Sequence, residues 1–186
     1  GVYEQYAEKL VRKVQGMVLG NGLEQGVTQG PMIDAKSVAN LEALVADAVA
    51  KGAKVLCGGK RTGKLGNFFE PTVLGGVTPD MRVFKEEIFG PVAPLVSFAT
   101  EDEAIAMAND TEFGLASYVF ARDIGRIWRV SQALEYGLVG VNDVALASGE
   151  LPFGGVKESG LGREGGRAGL EEFLEIKYTL LGRLDV

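Results

Sequence analysis

The sequence predicts an α/β protein built on a parallel, doubly wound sheet, and three features carry that prediction. Short apolar runs alternate with amphipathic segments through the second half, in the order strand–helix–strand–helix–strand. The links between them are short, as in a parallel sheet covered on both faces by helices. Several helical segments also carry start signals, hydroxyls or acids placed as N-caps.

Taken in order, Val2, Tyr6, Leu10, Val11, Val14 and Val18 recur at helical spacing, ending near Gly20. Asp34 is placed to cap a second helix whose apolar stripe is Val38, Leu41, Leu44, Val45, Ala48 and Val49, stopped by Gly52. Ala53 to Cys57 reads as a short core-like strand, followed by a glycine- and lysine-rich loop from Gly58 to Gly66, and Phe68 to Val77 reads as extended around Pro71. Val92 to Phe98 is expected as a buried strand. Thr100 and Glu103 form a capping box for a helix from Glu101 to Ala108. Ala116 to Ala121 is a strand, Asp123 to Tyr136 a helix, Leu138 to Val141 a strand, and Phe173 to Leu181 a last strand-like run.

Composition bounds the chemistry. The 186 residues carry 19 Lys+Arg against 25 Asp+Glu, a net charge of −6, so nucleic acid and anionic membranes are poor partners. There is no histidine and a single cysteine, Cys57, which excludes Cys/His zinc sites, a Ser-His or Cys-His nucleophile pair and an intrachain disulfide. The lone thiol fits a reducing cytoplasm. Apolar runs fall well short of the ~20 residues that span a bilayer, and the first residues do not read as a signal peptide. The missing initiator Met suggests a piece of something longer.

Two nucleotide-binding patterns fail on context. Gly160-Leu-Gly162-Arg-Glu-Gly165 has the spacing of the dinucleotide fingerprint, but no strand runs straight into it and no partner acid follows. Gly58-Gly-Lys-Arg-Thr-Gly63-Lys64 looks like a phosphate loop, yet Leu65 stands where the magnesium-binding Ser or Thr belongs and no helix starts there. Its basic residues read as a solvated hairpin tip.

Two segments are left that read as a site. Asn142 to about Glu164 shows no periodicity, holds Gly149, Gly154, Gly155, Gly160 and Gly162, and follows the C-terminal end of a strand, where open α/β sheets place ligands. Leu151, Phe153, Val156 and Leu161 give it apolar anchors. The other segment is Lys85-Glu86-Glu87-Ile88-Phe89-Gly90-Pro91-Val92. If extended, it puts Glu87 and Phe89 on one face and Glu86 and Ile88 on the other. A carboxylate accepts hydrogen bonds from vicinal hydroxyls and an aromatic covers a flat ring. By spacing alone, however, paired acids before an apolar strand read as a solvated turn.

KEEIFGPV resembles the signature of the NAD(P)-dependent aldehyde dehydrogenase superfamily, and GNGLEQGVTQGPMID, GNFFEPTVL, NDTEFGLASYVF, GLVGVN and LPFGGVKESGLGREGG resemble its other blocks in the same order. The resemblance covers essentially the whole chain. Within the family, SGELPFGGVKESGLGREGG is most similar to the succinate-semialdehyde dehydrogenases. The resemblance implies residues 1–170 as part of the catalytic domain and 171–186 as an oligomerisation strand and tail, with a homo-oligomer (dimer or tetramer) assembled by strand addition. It implies NAD or NADP as cofactor, Glu87 on the nicotinamide-side ribose and Phe89 beside the nicotinamide. It also implies Ser148 on the substrate's distal carboxylate and Phe153 in the substrate tunnel, where a loop anchor packed on the core is the rival reading.

The family's nucleophilic cysteine, general-base glutamate, oxyanion asparagine and cofactor domain match positions upstream of Gly1, so none of this chain's residues is expected to be catalytic. Cys57 reads as a small buried hydrophobe instead. Ser37 and Asn40 stand where some relatives carry longer polar residues. The implied reaction is thiolate attack on an aldehyde, hydride transfer to NAD(P)+ and hydrolysis of the thioester. A second expectation of a different class is a catalytically inactive, self-associating module.

Overall fold

The computed structural model describes residues 1–63 and 66–183; Lys64 and Leu65 of the phosphate-loop look-alike lie outside the described residues. The chain divides into two compact units, Gly1–Phe98 and Ala99–Val186.

In the first unit, α1 (Tyr3–Gln15) is followed by α2 (Ala35–Ala50), β1 (Lys54–Cys57), β2 (Thr72–Gly75), the one-turn α3 (Arg82–Lys85) and β3 (Val92–Pro94). Asp34 caps α2 as its position predicts, accepting from the Ser37 N–H at 2.6 Å. The stripe Val38, Leu41, Leu44, Val45 and Ala48 is buried against Phe69, Leu74, Val77, Met81, Val83 and Val92, and this cluster is the unit's core. Helix α1 buries only Ala7. Its Tyr3 hydroxyl nevertheless accepts from the Gly76 N–H at 2.8 Å, just past the end of β2.

In the second unit, α4 (Glu101–Asn109) precedes β4 (Phe113–Gly114), β5 (Ala116–Val119), α5 (Ile124–Ala133), β6 (Leu138–Val141), β7 (Val156–Lys157) and α6 (Ala168–Glu171). Both predicted starts hold. The Glu103 N–H donates to Thr100 Oγ1 at 3.1 Å, and the Arg126 N–H to Asp123 Oδ1 at 2.7 Å. The Glu103 carboxylate reaches back one residue beyond the cap, to the Ala99 N–H at 2.7 Å.

The architecture is mixed α/β, and the strands found do not make up the expected single parallel sheet. Among the described residues the strands form a three-stranded sheet β1-β2-β3 and two pairs, β4-β7 and β5-β6. Only β2-β3 and β5-β6 are parallel. β1 runs antiparallel to β2, and β4 pairs with a strand from the glycine-rich loop. A doubly wound sheet needs repeated crossovers, and among the described residues a helix joins paired parallel strands in β2-α3-β3 and in β5-α5-β6, which lie in separate sheets. β3 is also shorter than expected, ending at Pro94 opposite Leu74. β1 lies at a sheet edge, so Cys57 is half-buried where a buried thiol was expected. Residues 173–181 make no strand pairing among the described residues, and Phe173, Leu174, Ile176, Tyr178, Leu180 and Leu181 are exposed. No helix among the described residues is long and apolar enough to cross a membrane.

Glu101 ties α4 to α5. Its carboxylate accepts from Arg129 Nε and from Arg126 Nε, each at 3.0 Å. These donors, Arg129 foremost, hold the Glu101 carboxyl below the ordinary glutamate value of 4.5. A lowered folded-state pKa contributes stability that is present above the unfolded value and lost as pH falls through the folded one. Glu101→Gln is therefore expected to melt lower than wild type at pH 7 and to lose less on acidification below that value. Melting curves between about pH 3 and 7 check this; parallel acid profiles for the two proteins would refute it.

Candidate cofactor and substrate site

Helix α3 leads into the segment that carries Glu87 and Phe89. Glu86 caps it: its N–H donates to the Arg82 carbonyl at 2.8 Å, while Arg82 Nε and Nη2 donate to its carboxylate at 2.6 and 2.8 Å. The Arg82 guanidinium holds the Glu86 carboxyl below the usual glutamate range. The Arg82 N–H in turn donates to Asp47 Oδ2 of α2 at 2.9 Å, and Asp47 pairs with Lys51 at 3.0 Å. One acid of the pair is thus spent on structure. Glu87 is exposed and makes no hydrogen bond or ion pair among the described residues.

The segment is not extended throughout, which corrects the simple alternation. Phe89 has φ = +44°, in the left-handed region. A bulky aromatic there costs about 1–3 kcal/mol. The ring recovers nothing by packing, since Phe89 is 83% exposed. Its neighbours impose the conformation. Arg82 grips Glu86 on one side, and on the other the Pro91 carbonyl accepts from the Thr72 N–H at 2.8 Å. Gly90 closes the turn against the core: a Cβ there would lie 2.7 Å from Leu41 Cδ2. A free carboxylate two residues from an uncovered, strained ring is an arrangement able to take a diol and a flat heterocycle.

In the second unit the glycine-rich segment is ordered by pairing, although its sequence shows no periodicity. Phe153 and Glu164 exchange two backbone hydrogen bonds of 2.7 Å, and the Gly166 N–H donates to the Gly149 carbonyl at 2.9 Å. Arg163 Nη1 donates to the Gly155 and Gly162 carbonyls at 2.8 and 2.6 Å. Phe153 is half-buried, as an anchor of the loop would be. Ser148 is exposed, and its hydroxyl donates to the Glu150 carboxylate, holding that carboxyl below its usual range.

Phosphate has no seat at Gly160-Leu-Gly162. A short strand does precede it, since Lys157 closes β7, but the helix that follows is a four-residue turn starting at Ala168. The open face of Gly162 looks at the Glu172 carboxylate, 2.8 Å from where a Cβ would stand, the wrong charge for a phosphate. The motifs of the sequence did not single out Glu150 or the Arg82–Glu86 grip. The second was signalled by the (i, i+4) spacing of Arg82 and Glu86.

The sulfolactaldehyde dehydrogenase of Pseudomonas putida is 58% identical over 185 residues, covering 100% of this chain and 38% of the relative. The NADP+ succinate-semialdehyde dehydrogenase of Escherichia coli K12 is 54% identical over 182 residues, covering 98% of this chain and 38% of the relative. Among solved structures, a betaine aldehyde dehydrogenase from Staphylococcus aureus in complex with NAD+ superposes with a TM-score of 0.87 at 40% identity, covering 92% of this chain and 35% of that one. The chain spans little more than a third of the length of the curated relatives it matches. The family model described as the aldehyde dehydrogenase family matches residues 1–179, and the chain belongs to that family.

Proposed function

We propose that this chain is the C-terminal part of an NAD(P)-dependent aldehyde dehydrogenase that oxidises a short aldehyde bearing an anionic group, succinate semialdehyde foremost, to the acid. The observation that carries the reading is the unpaired Glu87 beside the strained, uncovered Phe89. Glu87 takes the hydroxyls of the nicotinamide-side ribose and Phe89 covers the nicotinamide ring. The cofactor, when bound, accepts the hydride. Ser148 holds the distal carboxylate and Phe153 lines the approach. The nucleophilic thiolate and the general base come from sequence preceding the block that matches Gly1. The two named curated relatives act on aldehydes with an anionic end, which supports the substrate class.

Residues 1–170 belong to the catalytic domain in this reading, and 171–186 to an oligomerisation strand that completes a neighbour's sheet in a dimer or tetramer. The exposed side chains from Phe173 to Leu181 support that placement, since an apolar strand without a partner is an adhesive edge. The same feature supports the second reading, an inactive module whose one property is self-association. A reducing cytoplasm suits its half-buried lone thiol.

Assay of the complete polypeptide with succinate semialdehyde and NAD or NADP separates the two readings. Turnover is expected from the complete polypeptide and none from residues 1–186 alone. Glu87→Gln, which weakens two charge-assisted hydrogen bonds, should raise the KM for cofactor by about tenfold or more. An unchanged cofactor KM, or aldehyde oxidation by the 186-residue chain, would sink the assignment.

A further inference from the structure

Ser148 has one hydroxyl proton, and the structure shows where it goes: to the carboxylate of Glu150. The two residues close a tight turn, with the Leu151 N–H donating to the Ser148 carbonyl at 3.3 Å. That turn is backed by the far side of the loop. The Gly166 N–H holds the Gly149 carbonyl, and a Cβ on Gly165 or Gly166 would fall 2.6 Å from the carbonyl oxygens of Leu151 and Glu150 respectively. The backbone of the turn is therefore fixed, and the exposed Glu150 side chain is the part free to move.

We propose that Glu150 is a specificity-determining residue whose carboxylate occupies, before substrate binds, the hydroxyl that a substrate carboxylate takes. The inference rests on the reading of Ser148 given above. One donor proton cannot serve two carboxylates, and two carboxylates brought to one hydroxyl repel each other. An aldehyde with a distal carboxylate must displace Glu150, whereas a neutral aldehyde of the same length leaves it in place. Glu150 thus weakens binding of the carboxylated substrate selectively, and it does so through Ser148.

The test is made in the complete enzyme, with KM measured for succinate semialdehyde and for butanal. Glu150→Ala is expected to lower the KM for succinate semialdehyde by about fivefold, the size of an exposed charged contact, and to move that for butanal by less than about twofold. Glu150→Gln keeps an acceptor while removing the charge and should fall between wild type and Glu150→Ala. Ser148→Ala should raise the KM for succinate semialdehyde and spare butanal. If Ser148→Ala shifts the ratio of the two constants but neither Glu150 variant does, the role of Glu150 is overturned and that of Ser148 stands. If Ser148→Ala leaves the ratio unchanged, both are overturned. A parallel change for the two aldehydes in the Glu150 variants also refutes the proposal, because it marks a disturbed loop.

Discussion

Gly137→Ala is expected to detach the glycine-rich loop from β6 and to lower the melting temperature of the chain by roughly 6–12 °C. The argument is steric. A Cβ on Gly137 would stand 2.0 Å from the Gly154 carbonyl oxygen and 2.9 Å from both the Gly154 carbonyl carbon and Gly155 Cα. These are backbone atoms, so no side-chain rotation relieves the overlap and one of two segments must retreat. Gly137 is held on its own side, its N–H donating to the Gly114 carbonyl at 3.0 Å and the next N–H, of Leu138, to Leu115 at 3.0 Å. The loop is held by the Phe153–Glu164 exchange. Either retreat breaks backbone hydrogen bonds, which puts the cost near the top of the overpacking range, about 3 kcal/mol. For a protein of this size that corresponds to roughly 2–4 °C per kcal/mol. Gly149→Ala is the control. A Cβ at Gly149 meets nothing within 4 Å, so its melting temperature should stay with wild type. Equal melting temperatures for all three proteins would show that Gly137 and Gly154 are not in contact. Amide exchange at Phe153 and Glu164 would report whether the loop has come away.

What the sequence made legible is local. The caps at Asp34 and Thr100 depend on residues three apart, and each forms as the spacing dictates. The stripe of α2 is a property of one helix, and its residues are the ones that are buried. Strand β6 is likewise found at its predicted limits, Leu138 to Val141. Sheet pairing is a different kind of fact. Nothing within Lys54–Cys57 says that it lies antiparallel to Thr72–Gly75 at an edge, since register and direction are settled by partners elsewhere in the chain. The site divides the same way. Glu87 and Phe89 stand out as residue types in a family block. That Glu86 is consumed by Arg82 while Glu87 is left free, and that Phe89 turns left-handed, follows from how α3 and β3 anchor the segment's two ends. Ser148 is visible in its block, whereas its partner two residues on is visible only once the turn is built.

The support beneath Phe89 can be measured through a coupled pair. Leu41 is fully buried, and Leu41→Ala is expected to destabilise the chain by about 3–5 kcal/mol, the lost burial plus the cavity left behind. Gly90→Ala acts in the opposite sense at the same place. Its Cβ would lie 2.7 and 2.8 Å from the two Leu41 methyl carbons, an overpacking worth about 1–3 kcal/mol. Leu41→Ala removes the atoms that the new methyl meets, and the methyl then fills part of the cavity. The double variant should therefore be more stable than the two single effects summed, by about 0.5–3 kcal/mol, the range for residues in direct contact. Denaturant midpoints of the four proteins give the coupling. A sum that holds to within about 0.5 kcal/mol would mean that Gly90 does not rest on Leu41. The coupling also bears on the proposed cofactor site, because Gly90 follows directly on the left-handed Phe89. With the core carved away beneath it, the segment loses the floor that keeps a costly conformation in place. In the complete enzyme, Leu41→Ala should accordingly raise the KM for NAD(P)+ more than that for the aldehyde, and filling the gap with Gly90→Ala should bring part of the cofactor affinity back.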